Sequence, residues 1–247
     1  QNEIEGVIDL ALFMQKSFGF EEYDIELAVR GKGNEGKYIG ENEKWILAEE
    51  ALTAALNQKK LPFERMEDEA KFYGPAIDIK IKDALGRGWQ GPTIQVDFNL
   101  PARFDVNYIG SDGSQHNVVM VHRTVIGAME RFLGCLIEHY SGDFPLWLAP
   151  IQVRILPITD KLNDFGIEIK NKLSQAGIRS ECDTKSAKIG YKIREGTLEK
   201  IPYLLIVGDK ELKEGTVSVR RRKGGDEGTI PLSDFILRVE QEVRDKI

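Results

Sequence analysis

Two runs of alternating residues constrain this chain most. Ile77, Ile79 and Ile81 alternate with Asp78, Lys80 and Lys82. After a turn-like Ala84-Leu85-Gly86, Ile94, Val96 and Phe98 alternate with Gln95, Asp97 and Asn99. Successive side chains of a strand point to opposite faces, so each run builds a strand with one apolar and one polar side. Two such strands in succession predict a half-buried antiparallel sheet.

The rest of the first part fits around that sheet. Ile4, Val7, Ile8, Ala11 and Leu12 recur at helical spacing over 3–17, and Gly19 ends that helix. Ile25, Leu27 and Val29 suit a strand. Residues 31–41, rich in Gly, Asn and charge, read as an exposed loop. A helix over 43–58 carries Trp45, Leu47, Ala48, Ala51, Leu52 and Leu56 as its apolar stripe. The loop Gly110-Ser111-Asp112-Gly113 precedes a strand-like run, Val118 to Val121. A small-residue turn then opens a helix from Met129 to Tyr140.

The segment 142–150 sets two prolines around an apolar cluster, and the pattern changes after it. Strands are expected at 151–158, 179–183, 203–207 and 215–221, with helices at 160–175, 188–200 and 232–245. That order predicts a compact α/β domain with a mixed sheet. The fold class is therefore an α+β antiparallel sheet with helices over 1–143, followed by a smaller α/β domain over 144–247.

A chain of 247 residues, 41% hydrophobic and 30% charged, can supply a core to each of two domains. The net charge of −6 hides an asymmetry: residues 1–143 carry 15 basic and 24 acidic side chains, residues 144–247 carry 19 and 16. Nucleic acid, if bound, is expected to prefer the second part. No apolar run approaches the roughly 20 residues of a membrane span. Cys135 and Cys182 are far apart with no C-x-x-C spacing, which implies neither a disulfide framework nor a zinc knuckle. The default compartment is cytoplasmic. Gln1 in place of Met suggests that the natural N-terminus lies elsewhere.

Several segments, in order, resemble threonyl-tRNA synthetases of class II. They are Phe72-Tyr73-Gly74-Pro75; Gly88-Trp89-Gln90-Gly91-Pro92-Thr93-Ile94-Gln95-Val96-Asp97-Phe98; Met120-Val121-His122-Arg123; and Gly127-Ala128-Met129-Glu130-Arg131, which is similar to motif 3. Trp147-Leu148-Ala149-Pro150 is similar to the junction with the anticodon-binding domain. Lys188 to Glu195 and Gly208-Asp209-Lys210-Glu211 are similar to that domain itself. The resemblance implies a partial catalytic domain followed by an anticodon-binding domain, acting in ATP- and Mg2+-dependent threonine activation and transfer to threonine tRNA. It also implies a homodimer in the complete enzyme.

Residue roles follow from the resemblance, and each has a chemical reason. Arg131 is a planar fork suited to the γ-phosphate of ATP; a surface arginine paired with Glu130 or Asp143 is the competing reading. Gln90 and Gln95 are neutral amides suited to the adenylate and tRNA-end pocket. Strict alternation would put them on opposite faces, and Gly91-Pro92 between them can break the register as a bulge does. Tyr73 resembles the tyrosine that closes over the substrate amino group. His122 resembles one of three zinc ligands. Zinc binding of both the amino group and the hydroxyl separates threonine from valine, which an apolar pocket cannot do strongly. In the second domain Glu211 and Arg220 resemble anticodon contacts, and Lys192 and Arg194 could track the RNA backbone. Arg220-Arg221-Arg222-Lys223 adds phosphate attraction, with Arg222 and Lys223 expected at a solvated hairpin tip.

The chain departs from the family at named places. Ala76 stands where the family has a lysine after Tyr-Gly-Pro, and Ser186 where an asparagine is expected. Motifs 1 and 2 and the editing region are not in the sequence. The resemblance starts just after motif 2, so a fragment, inactive alone, is the expectation. The alternative is a non-catalytic half-synthetase that reads an anticodon-like hairpin.

Overall fold

The computed structural model describes residues 1–31, 33 and 35–246. They form two compact units, Gln1–His139 and Tyr140–Ile247.

Unit 1 runs α1 (Asn2–Ser17), β1 (Tyr23–Val29), a 3-10 turn at Glu35–Lys37, α2 (Asn42–Gln58), β2 (Glu64–Glu67), β3 (Ala76–Lys82) and β4 (Gly88–Asp97). It continues with α3 (Leu100–Arg103), β5 (Asn107–Ile109), β6 (Gln115–Asn117), β7 (Met120–Thr124) and α4 (Met129–Tyr140). Five strands make one sheet in the order β2-β1-β3-β4-β7, antiparallel except for the parallel β1–β2 pair. The alternation works as expected. Ile25, Leu27, Val29, Ile77, Ile79, Ile94 and Val96 turn to one side, where Ile4, Ile8 and Ala11 of α1 and Trp45, Ala48, Leu52 and Leu56 of α2 cover them.

Three local expectations change. Leu47 is 65% exposed: two residues beyond Trp45 it sits about 200° round the helix, away from the core. In the expected exposed loop, Tyr38 is buried and meets the Trp45 ring edge-on at 5.2 Å, while residues 32 and 34 lie outside the described residues. The strand expected over 118–121 lies two residues later, which puts His122 and Arg123 on β7 rather than after it. Strand β2 is an addition, whose sequence ERME has neither alternation nor branched residues.

Unit 2 runs β8 (Val153–Pro157), a 3-10 turn at Asp160–Leu162, α5 (Asn163–Gln175), β9 (Ser180–Cys182), α6 (Ile189–Leu198), β10 (Tyr203–Val207), α7 (Asp209–Glu214), β11 (Thr216–Arg221), β12 (Gly225–Pro231) and α8 (Leu232–Arg244). Its sheet, β12-β11-β10-β8-β9, is mixed: β9, β8 and β10 are parallel, and β10, β11 and β12 are antiparallel. Val153, Ile155, Leu205, Val207, Val217 and Val219 form a core with Ile169 and Leu173 of α5 and Phe235 and Val239 of α8. Leu156 and Leu204 face the other way, with Ile189 and Ile193 of α6 against them. Edge strand β12 and short helix α7 are additions to the expected order. Among the described residues no helix is long and apolar enough to cross a membrane.

Candidate functional site

The polar side of the unit 1 sheet is built in cross-strand rows. Ala28, Ala76, Gln95 and His122 are register partners across four strands; Glu26, Asp78, Thr93 and Thr124 form the next row, and Asp24, Lys80 and Gln90 the third. The register of β3 on β4 shifts between Asp78 and Lys80, opposite Gly91-Pro92. The extra residue in β4 brings Gln90 and Gln95 to the same face, although they are an odd number of residues apart. Asp78 fixes this geometry: its Oδ1 accepts from Gln90 Nε2 at 2.5 Å and from Thr93 Oγ1 at 2.7 Å.

Two turns close on that face. Gly74 packs so tightly on β4 that a Cβ there would lie 1.9 Å from the Val96 carbonyl oxygen, so only glycine lets the Phe72–Pro75 segment settle. The Tyr73 hydroxyl then donates to Gln95 Oε1 at 2.8 Å, and Gln95 Nε2 donates to the Gly74 carbonyl at 3.2 Å. Tyr73 also stands edge-on to His122, with ring centroids 6.1 Å apart. Burial, then the nearby Asp97 charge, pushes the Tyr73 hydroxyl above the usual tyrosine range. At the other end Arg131, exposed in the first turn of α4, donates to the Gln90 carbonyl at 3.1 Å. The structure thus brings Tyr73, Gln95 and His122 into mutual contact through Gln95 and Tyr73, and ties Arg131 to Gln90.

In unit 2 the basic run 220–223 divides by partner. Arg221 pairs with Glu242 at 3.2 Å and lies over the Tyr203 ring. Arg222 pairs with Asp143 at 2.5 Å and donates to the carbonyls of Lys200 and Phe144. Lys223 also reaches Asp143, at 2.9 Å. Arg222 is therefore not at a solvated tip. Its side chain is 15% exposed, because three acceptors gather round it. The side chain of Arg220, half-buried opposite Leu204 at a β11 bulge, has no hydrogen bond or ion pair among the described residues.

The family described as "tRNA synthetase class II core domain (G, H, P, S and T)" matches residues 1–140. The chain belongs to the class II aminoacyl-tRNA synthetases. A second family, described as "Anticodon binding domain", matches residues 152–242 of this synthetase chain. Among its relatives, the threonine–tRNA ligase of Clostridium acetobutylicum is 51% identical over 99% of the chain and 38% of its own length. That of Caldanaerobacter subterraneus subsp. tengcongensis is 48% identical over 100% of the chain and 37% of its own length. The chain thus spans a little over a third of the curated relatives it matches. Among solved structures, the RNA binding domain of threonyl-tRNA synthetase from Cryptosporidium parvum Iowa II superposes with a TM-score of 0.91 at 32% identity, covering 98% of this chain and 60% of that one. A putative threonyl-tRNA synthetase from Aeropyrum pernix gives 0.72 at 26% identity, covering 99% and 61%.

Not every expected site residue of this synthetase chain is placed for its role. Lys192 corrects one expectation. It is 2% exposed, and its Nζ donates to the carbonyls of Pro157 and Asp183, so it ties α6 to β8 instead of facing an RNA backbone. Arg194, two residues on, is exposed. Glu211 is half-buried and its Oε2 accepts the Gly208 amide at 2.8 Å, which caps α7 with one of its two oxygens. Ser186 donates to Asp160 at 3.0 Å. Ala76 is buried in the row between Ala28 and Gln95. Asp78, Thr93, Asp97 and Asn99 join the site in the structure, and of these alternation sets Asp97 on the same face as Gln95.

A zinc site of the implied kind needs three protein ligands and an open position. His122 supplies one nitrogen, 2.9 Å from Asp97 Oδ2. Among the described residues no group of three His, Cys, Asp or Glu could hold a metal ion. These residues do not by themselves make a zinc or magnesium site, and no step below runs through a metal.

Proposed function

We propose that this chain works as part of a threonine–tRNA ligase, which activates threonine with ATP and transfers it to the 3′-terminal ribose of its tRNA. The observation that carries this reading is the bulge-aligned polar face, where Gln90 and Gln95 share one side with Tyr73 and His122 while Arg131 stands at its end. Activation is an in-line attack of the amino-acid carboxylate on the α-phosphate, so the protein's share is positioning and charge stabilisation. Arg131 suits the phosphate end, where its free guanidinium nitrogens can grip oxygens in a fork. Gln90 hydrogen-bonds to ribose, base or the tRNA end, and Tyr73, its hydroxyl held by the buried Gln95, closes over the amino group.

Unit 2 reads the anticodon in this proposal. Arg220 is favoured as the contact because its three basic neighbours are committed to Glu242, Asp143 and backbone carbonyls. A guanidinium stacks on a base and attracts phosphate. Arg194 and the second oxygen of Glu211 are the supporting contacts. A cytoplasmic location belongs to the same reading.

The test is binding of a threonine-tRNA anticodon hairpin at fixed salt, against the same hairpin with its anticodon changed. Anticodon-dependent binding that Arg220→Ala weakens by about tenfold, a cost of about 1–3 kcal/mol for one base contact, is expected. Equal, weak binding of both hairpins would leave only the electrostatic term and sink the assignment.

A further inference from the structure

Asp97 has a fully buried side chain on the polar face of unit 1. Its Oδ1 accepts the backbone N–H groups of Asn99 and Leu100, each at 2.9 Å. Its Oδ2 lies 2.9 Å from His122 Nε2. Asn99, held by that first bond, sends Nδ2 to the carbonyls of Tyr73 at 2.8 Å and Ile39 at 3.1 Å. One carboxylate therefore touches the histidine directly and the tyrosine turn through one intermediary.

We propose that Asp97 is the positioning residue of this face: it holds His122 as the Nε2–H tautomer, leaving Nδ1 as the ring's lone-pair nitrogen, and anchors the Tyr73 turn through Asn99. The argument is one of donors and acceptors. A carboxylate accepting two amide N–H bonds is an acceptor at its remaining oxygen, so the proton of the third bond belongs to the ring. A buried oxygen without that donor would forfeit a charge-assisted bond. Fixing a ring's tautomer through its other nitrogen is how a carboxylate orients a functional histidine. The inference concerns this chain's own residues and rests on the proposed function only for what Nδ1 meets on that face.

The test is ring ¹⁵N and ¹H NMR of the ¹⁵N-histidine-labelled chain, at a pH where imidazole is neutral. His122→Ala identifies the His122 signals among the three histidines. In wild type a solvent-protected Nε2–H resonance is expected. In Asp97→Asn the carboxamide must keep its oxygen toward the two backbone amides, so its NH2 faces His122. The ring is then expected to invert to the Nδ1–H tautomer, with the two ring ¹⁵N shifts exchanging. Retention of Nε2–H in a folded Asp97→Asn chain overturns the proposal. Should that variant fail to fold, the wild-type spectrum decides: a protected ring N–H upholds the pairing, and its absence overturns it. Neither signal depends on nucleotide, threonine or tRNA, so failure here is separable from failure of the proposed function.

Discussion

Gly127 lies against the bulge of β4: a Cβ added to it would sit 2.8 Å from the Gly91 carbonyl oxygen and 3.1 Å from that of Gln90. Its φ is +73°, a conformation that side-chain-bearing residues rarely adopt. Two independent reasons thus require glycine where the chain enters α4, and Arg131 on that helix binds the same Gln90 carbonyl. We expect Gly127→Ala to lower the stability of unit 1 by about 1–3 kcal/mol, from strain and from displacement of the bulge. Urea unfolding checks this. An unchanged midpoint would show that the turn yields freely and that the bulge is not fixed by it.

Arg220 and Arg222 are two residues apart and are expected to fail differently. Arg222→Ala removes one of the two cationic partners of Asp143 and the donor to two carbonyls, at a cost of about 1–3 kcal/mol to unit 2. Arg220→Ala should leave the unfolding midpoint within about 0.5 kcal/mol of wild type while weakening hairpin binding. Burial opposes ionisation of Asp143, but Lys223 and Arg222 outweigh it and hold its carboxyl below the usual range. That contribution is present above the ordinary aspartate pKa and lost as pH falls. Arg222→Ala should therefore reduce the acid sensitivity of unit 2, as read from unfolding midpoints between pH 7 and pH 3.

Lys192 and Arg194 form a second such pair. Lys192→Met leaves the Pro157 and Asp183 carbonyls without their buried donor and should destabilise unit 2 by about 1–3 kcal/mol. Its effect on the salt dependence of hairpin binding should be nil. Arg194→Ala, at an exposed site, should spare stability and lower the slope of log affinity against log salt by about one if it meets a phosphate. Equal salt slopes for wild type and both variants would remove α6 from the RNA contact.

How much of this was legible differs by element. The bulge could be read from Gly91-Pro92 in an otherwise alternating strand, and with it the shared face of Gln90 and Gln95. The burial of Lys192 was legible in principle: it sits at helical spacing with Ile189, Ile193 and Gly196, on the side that meets the sheet, where a lysine needs internal acceptors. Its charge alone suggested a solvated role. Strands β2 and β12 were not legible, because neither ERME nor GDEGTIP alternates and GDEGTIP carries the residues of a loop, so backbone pairing with a neighbour specifies them. Arg222's partners were also out of reach, since Asp143 and Phe144 come to it from about eighty residues away along the chain.

Cys182 and Tyr203 give unit 2 an alkaline limit. Burial pushes the Cys182 thiol from 9.0 up to about 11. Burial, reinforced by the Glu242 carboxylate and opposed by Arg221 and Arg238, pushes the Tyr203 hydroxyl from 10.0 up to about 12. Both groups bind their proton more tightly folded than unfolded, so the unfolded chain releases protons first as pH rises. The stability they contribute is complete below pH 9, begins to fall there with Cys182, and is lost as pH passes through the two folded values. Unfolding midpoints of the chain should decline progressively from pH 9 upward. Cys182→Ala should flatten the early part of that decline and Tyr203→Phe the later part. Thiol labelling offers an independent reading of the same cause: at pH 8 Cys182 in the folded chain should react far more slowly than in urea, because little of it is thiolate. Rapid labelling of folded Cys182 at pH 8, with a flat stability profile between pH 9 and 11, would show that water reaches the sulfur and that burial does not govern it.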